Sequence, residues 1–127
     1  MRILVEPRTK LVLFALWCLA WLVVLVESLR PIQELPLGMS DKLLHFLCYA
    51  GMTAAVAGFC HEVHGVLRWA VVGIVLGGLV EVAQGRLPPR SMDLGDFLMD
   101  GAGVATGALV AIAWLIVVVR PLRRMPA

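Results

Sequence analysis

Charge is what this sequence has least of. Asp, Glu, Lys and Arg make up 16% of its 127 residues, against 61% hydrophobic, where soluble domains carry roughly a quarter charged and half apolar. The shortage excludes an ordinary soluble domain, and the apolar surplus lies in long runs, the pattern of membrane spans. A net charge of +2, with eleven Lys and Arg that form no basic tract, gives nucleic acid nothing to bind. Cysteine is scarce too: Cys18, Cys48 and Cys60 are an odd number without CxxC spacing, which excludes a disulfide framework and reads as small buried hydrophobes. No repeat with a period of roughly 20–50 residues appears, and neither does a low-complexity tract or a G-x-S-x-G nucleophile motif. The segment CHEVH at 60–64 lacks the histidine spacing of HExxH, so Cys60, His61 and His64 suggest no metal site. No motif implies a cofactor.

What is present is four apolar stretches. The first follows a basic start, MRILVEPRTK, and resembles a signal sequence, but past Val26 the chain reads ESLRP with no A-x-A pattern, so the span is expected to be retained. The reading is an all-α integral membrane protein: a single domain over 1–127, a compact bundle of four transmembrane helices at about 11–28, 43–60, 66–84 and 97–119. The third span is the weakest, because its uncharged run from Trp69 to Val80 has a length that also suits a re-entrant segment. Ala50, Ala54 and Gly58, then Gly73 and Gly77, then Gly103 and Gly107 recur every four residues, and such rows let helix backbones approach closely in lipid. Trp17 and Trp21 are one turn apart and read as packed or lipid-facing, whereas Trp69 suits an interface. Arg2, Arg8, Lys10, Arg68, Arg120, Arg123 and Arg124 fall on the side of the termini, against Arg30, Lys42, Arg86 and Arg90 on the other. The positive-inside rule then places both termini in the cytoplasm.

With four spans, the first and third loops emerge on one face, and five of the nine acidic residues, Asp41, Glu81, Asp93, Asp96 and Asp100, open or close the second, third and fourth spans there. Asp41 and His45, four apart, share a helix face that Tyr49 continues one turn deeper. Asp41 is read as orienting the imidazole, although Ser40 or Asp41 also suits the helix N-cap. In RSMDLGDFLMDGAG, residues 90–103, Asp93, Asp96 and Asp100 form one stripe entering an apolar segment. The helix dipole accounts for the first two; Asp100, deeper, needs an interior partner. Lys42, Arg86, Arg90 and His45 are the available cations, and Arg90 is preferred for its bidentate fork. Glu81 and Gln84 share a face at the end of the third span, where Gln84 suits a tie between helices and Glu81 the neutralisation of an arginine.

DKLLHFLCYAGM at 41–52 and EVAQGRLPPRSMDLGDFLMDGAGVATGALV at 81–110, with the four spans, resemble the VanZ-like family of membrane proteins. Its pattern, Asp-Lys-x-x-His-Phe, Glu-x-x-Gln, Arg-Ser-x-Asp-x-x-Asp and a glycine-rich helix, falls here on Asp41, Lys42, His45, Phe46, Glu81, Gln84, Arg90, Ser91, Asp93, Asp96, Gly103 and Gly107. Asp100 stands where the family frequently has Asn. The resemblance implies a multi-pass protein of the bacterial inner membrane, and the family's founding members are linked to reduced sensitivity to the glycopeptide teicoplanin. It implies no particular reaction.

Three functions follow from these residues. The first is a binding module on the outer surface, in which Asp41, Lys42, His45, Glu81, Gln84, Arg90, Ser91, Asp93, Asp96 and Asp100 receive an anionic envelope lipid or lipid-linked precursor. The alternative is a metal-assisted enzyme acting on such a substrate, with His45, Asp41 and Asp96 as catalytic candidates and Asp93, Asp96 or Glu81 holding a divalent cation. The third is an ion-paired network that closes a small bundle, for which a homo-oligomer is expected.

Overall fold

The computed structural model describes residues 6–30, 40–88 and 91–124. Among them the chain is helical without a strand: α1 (Pro7–Leu29), α2 (Asp41–Ala54), α3 (Val63–Gln84), α4 (Leu94–Trp114) and a terminal α5 (Arg120–Arg124). Each start has a local cause. Pro7 opens α1, where its missing N–H would be unpaired in any case. Ser40 caps α2 by accepting from the Leu43 N–H at 3.2 Å, leaving Asp41 in the first turn beside the positive end of the dipole. Asp93 caps α4 by accepting from the Gly95 N–H at 2.6 Å. Of the two capping candidates at the start of α2, Ser40 therefore fills the role.

Three helical segments are long and apolar enough to cross a membrane: Pro7–Leu29, Val63–Gln84 and Leu94–Leu122. At 1.5 Å per residue the first two reach about 33–35 Å, against a hydrocarbon core of about 30 Å. Their outer faces carry Leu11, Leu19, Val71, Leu79, Leu109 and Val117, each more than half exposed, an apolar surface that water would not tolerate. The third stretch, expected to be the weakest, is an unbroken helix of 22 residues. The short one is instead α2, 14 residues, because Asp41, Lys42 and His45 occupy its first turns and its end tightens into a 3₁₀ turn over Ala55–Gly58. Near the C-terminus the Arg120 N–H reaches back five residues to the Leu115 carbonyl. That widened turn precedes Pro121, whose ring has no N–H to continue the ladder.

The glycine rows set how closely the helices pack. A Cβ on Gly103 would stand 2.5 Å from the Phe46 carbonyl oxygen and 3.1 Å from the Ala50 nitrogen, so α4 meets the backbone of α2 directly. Gly107 repeats this one turn on, where a Cβ would lie 3.0 Å from the Ala54 nitrogen. On α3, Gly73 faces Val104, and Gly77 faces Asp100 and Tyr49. At the far end, Phe14, Trp17, Phe59 and Trp69 form an aromatic cluster with centroids 4.8–6.2 Å apart, and the Trp17 indole N–H donates to the Met52 carbonyl at 2.8 Å. Trp17 and Trp21 are thus packed. Cys18, expected to be buried, is exposed on the outer face of α1, while Cys48 and Cys60 are half-buried.

Candidate functional site

The C-terminal ends of α1 and α3 and the N-terminal ends of α2 and α4 come together at the other end of the molecule, and the polar residues gather there in two layers.

The outer layer is built on Lys42. Its ammonium donates to Asp93 Oδ2 at 2.7 Å and to Asp96 Oδ1 at 3.0 Å, with the lysine side chain about half exposed at 49%. Gly95 makes the room: a Cβ there would stand 2.7 Å from Lys42 Nζ. Hydrogen bonding to Asp93 and then Asp96 holds the Lys42 ammonium above its ordinary pKa. The same lysine and the Gly95 N–H hold the Asp93 carboxyl below its ordinary value. Ser91 and Arg86 are exposed on the same rim. Arg90 lies outside the described residues.

The inner layer centres on His45. Its Nδ1 is 2.8 Å from Asp100 Oδ1, and both side chains are buried, at 7% and 0% exposure. Asp100, for which an arginine was the preferred partner, therefore takes the imidazole. Asp41, expected to orient that ring, approaches only to 3.9 Å on the Nε2 side, too far for a hydrogen bond. The reason is cross-helix proximity: the close contact of α2 with α4 brings Asp100 nearer to His45 than a neighbour on its own helix face. Tyr49, below His45 with its ring stacked in parallel at 6.5 Å between centroids, is 1% exposed.

Glu81 and Gln84 bind this end together through backbone groups. Glu81 Oε2 accepts from the Asp93 backbone N–H at 2.9 Å, tying α3 to the cap of α4. The Gln84 side-chain amide donates to the Ser28 carbonyl at 2.8 Å, so Gln84 is the tie between helices that its type and depth suggested. Its partner on α1 was invisible to pattern reading, because the acceptor is a backbone carbonyl that any residue carries.

Glu81 Oε1 and Trp21 Nε1 are buried with no hydrogen-bond partner among the described residues, while the Tyr49 hydroxyl lies against the Asp100 carboxyl. Two sets of three ligand atoms lie within 4.8 Å of one another, one from Asp41, His45 and Asp96, the other from His45, Glu81 and Asp100. Neither draws on Cys60, His61 or His64, and neither includes Asp93, whose carboxylate is engaged by Lys42 and Gly95. The sequence pattern groups Asp41, His45 and Asp96 as catalytic candidates, but it names His45, Glu81 and Asp100 without bringing them together. The signal was the shared depth of His45, Glu81 and Asp100 on three different helices.

The class defined so far is an all-helical protein with three segments able to cross a membrane and a buried carboxylate–histidine cluster at one end. Comparison with protein-family models, curated proteins and solved structures finds no match to the chain, so the geometry of the cluster carries the functional reading.

Proposed function

We propose that the chain is a VanZ-like protein of the bacterial inner membrane, with four spans and both termini in the cytoplasm, whose polar rim binds the headgroup of an anionic envelope lipid or lipid-linked precursor. The family's link to teicoplanin sensitivity is consistent with such a ligand. The observation that carries the reading is Lys42. An ammonium has three N–H donors; Asp93 and Asp96 take two and fix its position, and on a half-exposed side chain the third is left for a phosphate. Arg86, exposed on the rim, adds a second positive group at headgroup depth.

The test is thermal unfolding in neutral detergent with phosphatidylglycerol, undecaprenyl phosphate or phosphatidylcholine as the probe. A ligand at a hundred times its Kd stabilises by about 2.7 kcal/mol, a shift of several degrees. The anionic probes should raise the midpoint, phosphatidylcholine should not, and Lys42→Met with Arg86→Ala should abolish the difference. Equal shifts with all three probes would refute the reading.

The second reading, a metal-assisted enzyme acting on a lipid-linked or phosphate-bearing substrate, is favoured by the two ligand sets that share His45. In that case Asp100, through Nδ1, and not Asp41 orients the imidazole for proton transfer. Turnover of undecaprenyl diphosphate or phosphatidylglycerol with manganese, lost in His45→Gln, is the corresponding measurement.

A further inference from the structure

The outer and inner layers differ in how their charges are compensated. In the outer layer Asp93 and Asp96 share the Lys42 ammonium. The inner layer holds two carboxylates, Glu81 at 3% exposure and Asp100 at 0%, and among the described residues the imidazole of His45 is the one basic group against them. Among the described residues Glu81 Oε1 is buried without a donor, and the Asp100 carboxyl faces the Tyr49 hydroxyl beside it. Leaving a buried acceptor unsatisfied is costly, the more so when it is charged.

A single proton neutralises one of the two carboxylates and leaves the ring nitrogen as it was. A divalent cation satisfies both carboxylates and a ring nitrogen together, and two negative charges against two positive leave the pocket neutral. We infer that His45, Glu81 and Asp100 form a binding site for a divalent transition-metal ion.

The geometry suits it. The three ligand atoms already lie within 4.8 Å of one another, whereas ligands on a shared ion at about 2.1 Å stand roughly 3.0–3.5 Å apart. Closing the set draws the ligand atoms in from within 4.8 Å and replaces the 2.8 Å hydrogen bond of His45 with Asp100 by two bonds to the ion. The space is made by Gly77, where a Cβ would come within 2.9 Å of Asp100 Oδ2 and 3.3 Å of the Tyr49 ring. One imidazole with two carboxylates selects zinc, manganese or ferrous iron over calcium or magnesium, which prefer all-oxygen shells. The Tyr49 hydroxyl is placed to donate to a ligating carboxylate, the outer support that metal sites generally carry. The set of Asp41, His45 and Asp96 uses the same histidine, but Lys42 already occupies Asp96 Oδ1 and its ammonium would repel a cation there.

This site stands on its ligand geometry whether or not a lipid binds above it, and its test needs no lipid and no turnover. Purified protein in detergent is assayed for zinc, manganese and iron, then stripped with chelator and titrated with Mn²⁺ and Zn²⁺ singly. The expected result is about one ion per chain, with Glu81→Gln and Asp100→Asn each weakening uptake at least tenfold. Glu62→Gln, an exposed acid at the opposite end paired with His64, should leave uptake unchanged. The Mn²⁺ resonance of the loaded protein should show nitrogen coupling that His45→Gln removes. No retained metal together with no uptake at micromolar concentration by the unsubstituted protein would overturn the inference whatever the variants do. Loss of uptake in Asp41→Asn with retention in Glu81→Gln would overturn the ligand set.

Discussion

Gly103→Ala tests the contact on which the whole cluster depends. The added methyl would stand 2.5 Å from the Phe46 carbonyl oxygen, where carbon and oxygen in contact ordinarily stay about 3.3 Å apart. The obstacle is backbone on both sides, so no rotamer change relieves it and α4 must retreat from α2 by about 0.8 Å. If that movement carries Asp100 with it, the 2.8 Å separation of His45 Nδ1 and Asp100 Oδ1 opens to about 3.6 Å, outside hydrogen-bonding range. Overpacking of this kind costs typically about 1–3 kcal/mol. Gly101→Ala is the matching control, two residues away on the same helix, because a Cβ there meets nothing within 4 Å. It should gain about 0.8–1 kcal/mol in helix propensity. The propensity gain is common to both substitutions, so they are expected to differ by the overpacking cost, about 1–3 kcal/mol, in unfolding by SDS in mixed micelles, followed by circular dichroism and tryptophan fluorescence. A Gly103→Ala protein as stable as Gly101→Ala would refute the close contact and, with it, the assembly of the site.

Two further outcomes follow from the same geometry. Gln84→Ala leaves the Ser28 carbonyl without its donor, at a cost of about 1–3 kcal/mol, and should raise amide exchange in the last turn of α1 ahead of the rest of that helix. Stability should also depend on pH through the Lys42–Asp93 pair. Asp93 is depressed below its ordinary value of 3.8, so its contribution is present above that value and is lost as the pH falls through the lower folded-state value. Lys42 is raised above its ordinary 10.5, so its contribution is complete below that value and is lost only as the pH rises through a still higher one. Between these limits the pair contributes a plateau, and Lys42→Met should remove the part of the acid-side fall that belongs to Asp93 in a thermal melt series. An unchanged acid limb would count against the pair.

Much of this molecule was legible from local pattern. Apolar runs announce helices, Ser40 and Asp93 carry the oxygen that caps the helix following each of them, and spacings of three and four put Asp93, Asp96 and Asp100 on one stripe. Such features depend on residues within a turn or two of each other, where the helix period alone sets the geometry. The small-residue rows at Gly103 and Gly107 likewise marked a face for close packing, although not the helix it would meet.

Partner choice was decided elsewhere. Asp41 sits four residues from His45 and still loses it to Asp100, 55 positions away, because α2 and α4 touch backbone to backbone at Gly103 and Gly107 while Asp41 stays half-exposed at the rim. The same contact leaves Lys42 to Asp93 and Asp96, and sets Glu81 beside the cap of α4. Sequence by itself determined that this chain makes apolar helices with an acidic, histidine-bearing end. Only the tertiary structure decided which acid meets which base, because that depends on distances between helices, and those are set by the few places where the absence of a side chain lets two backbones touch.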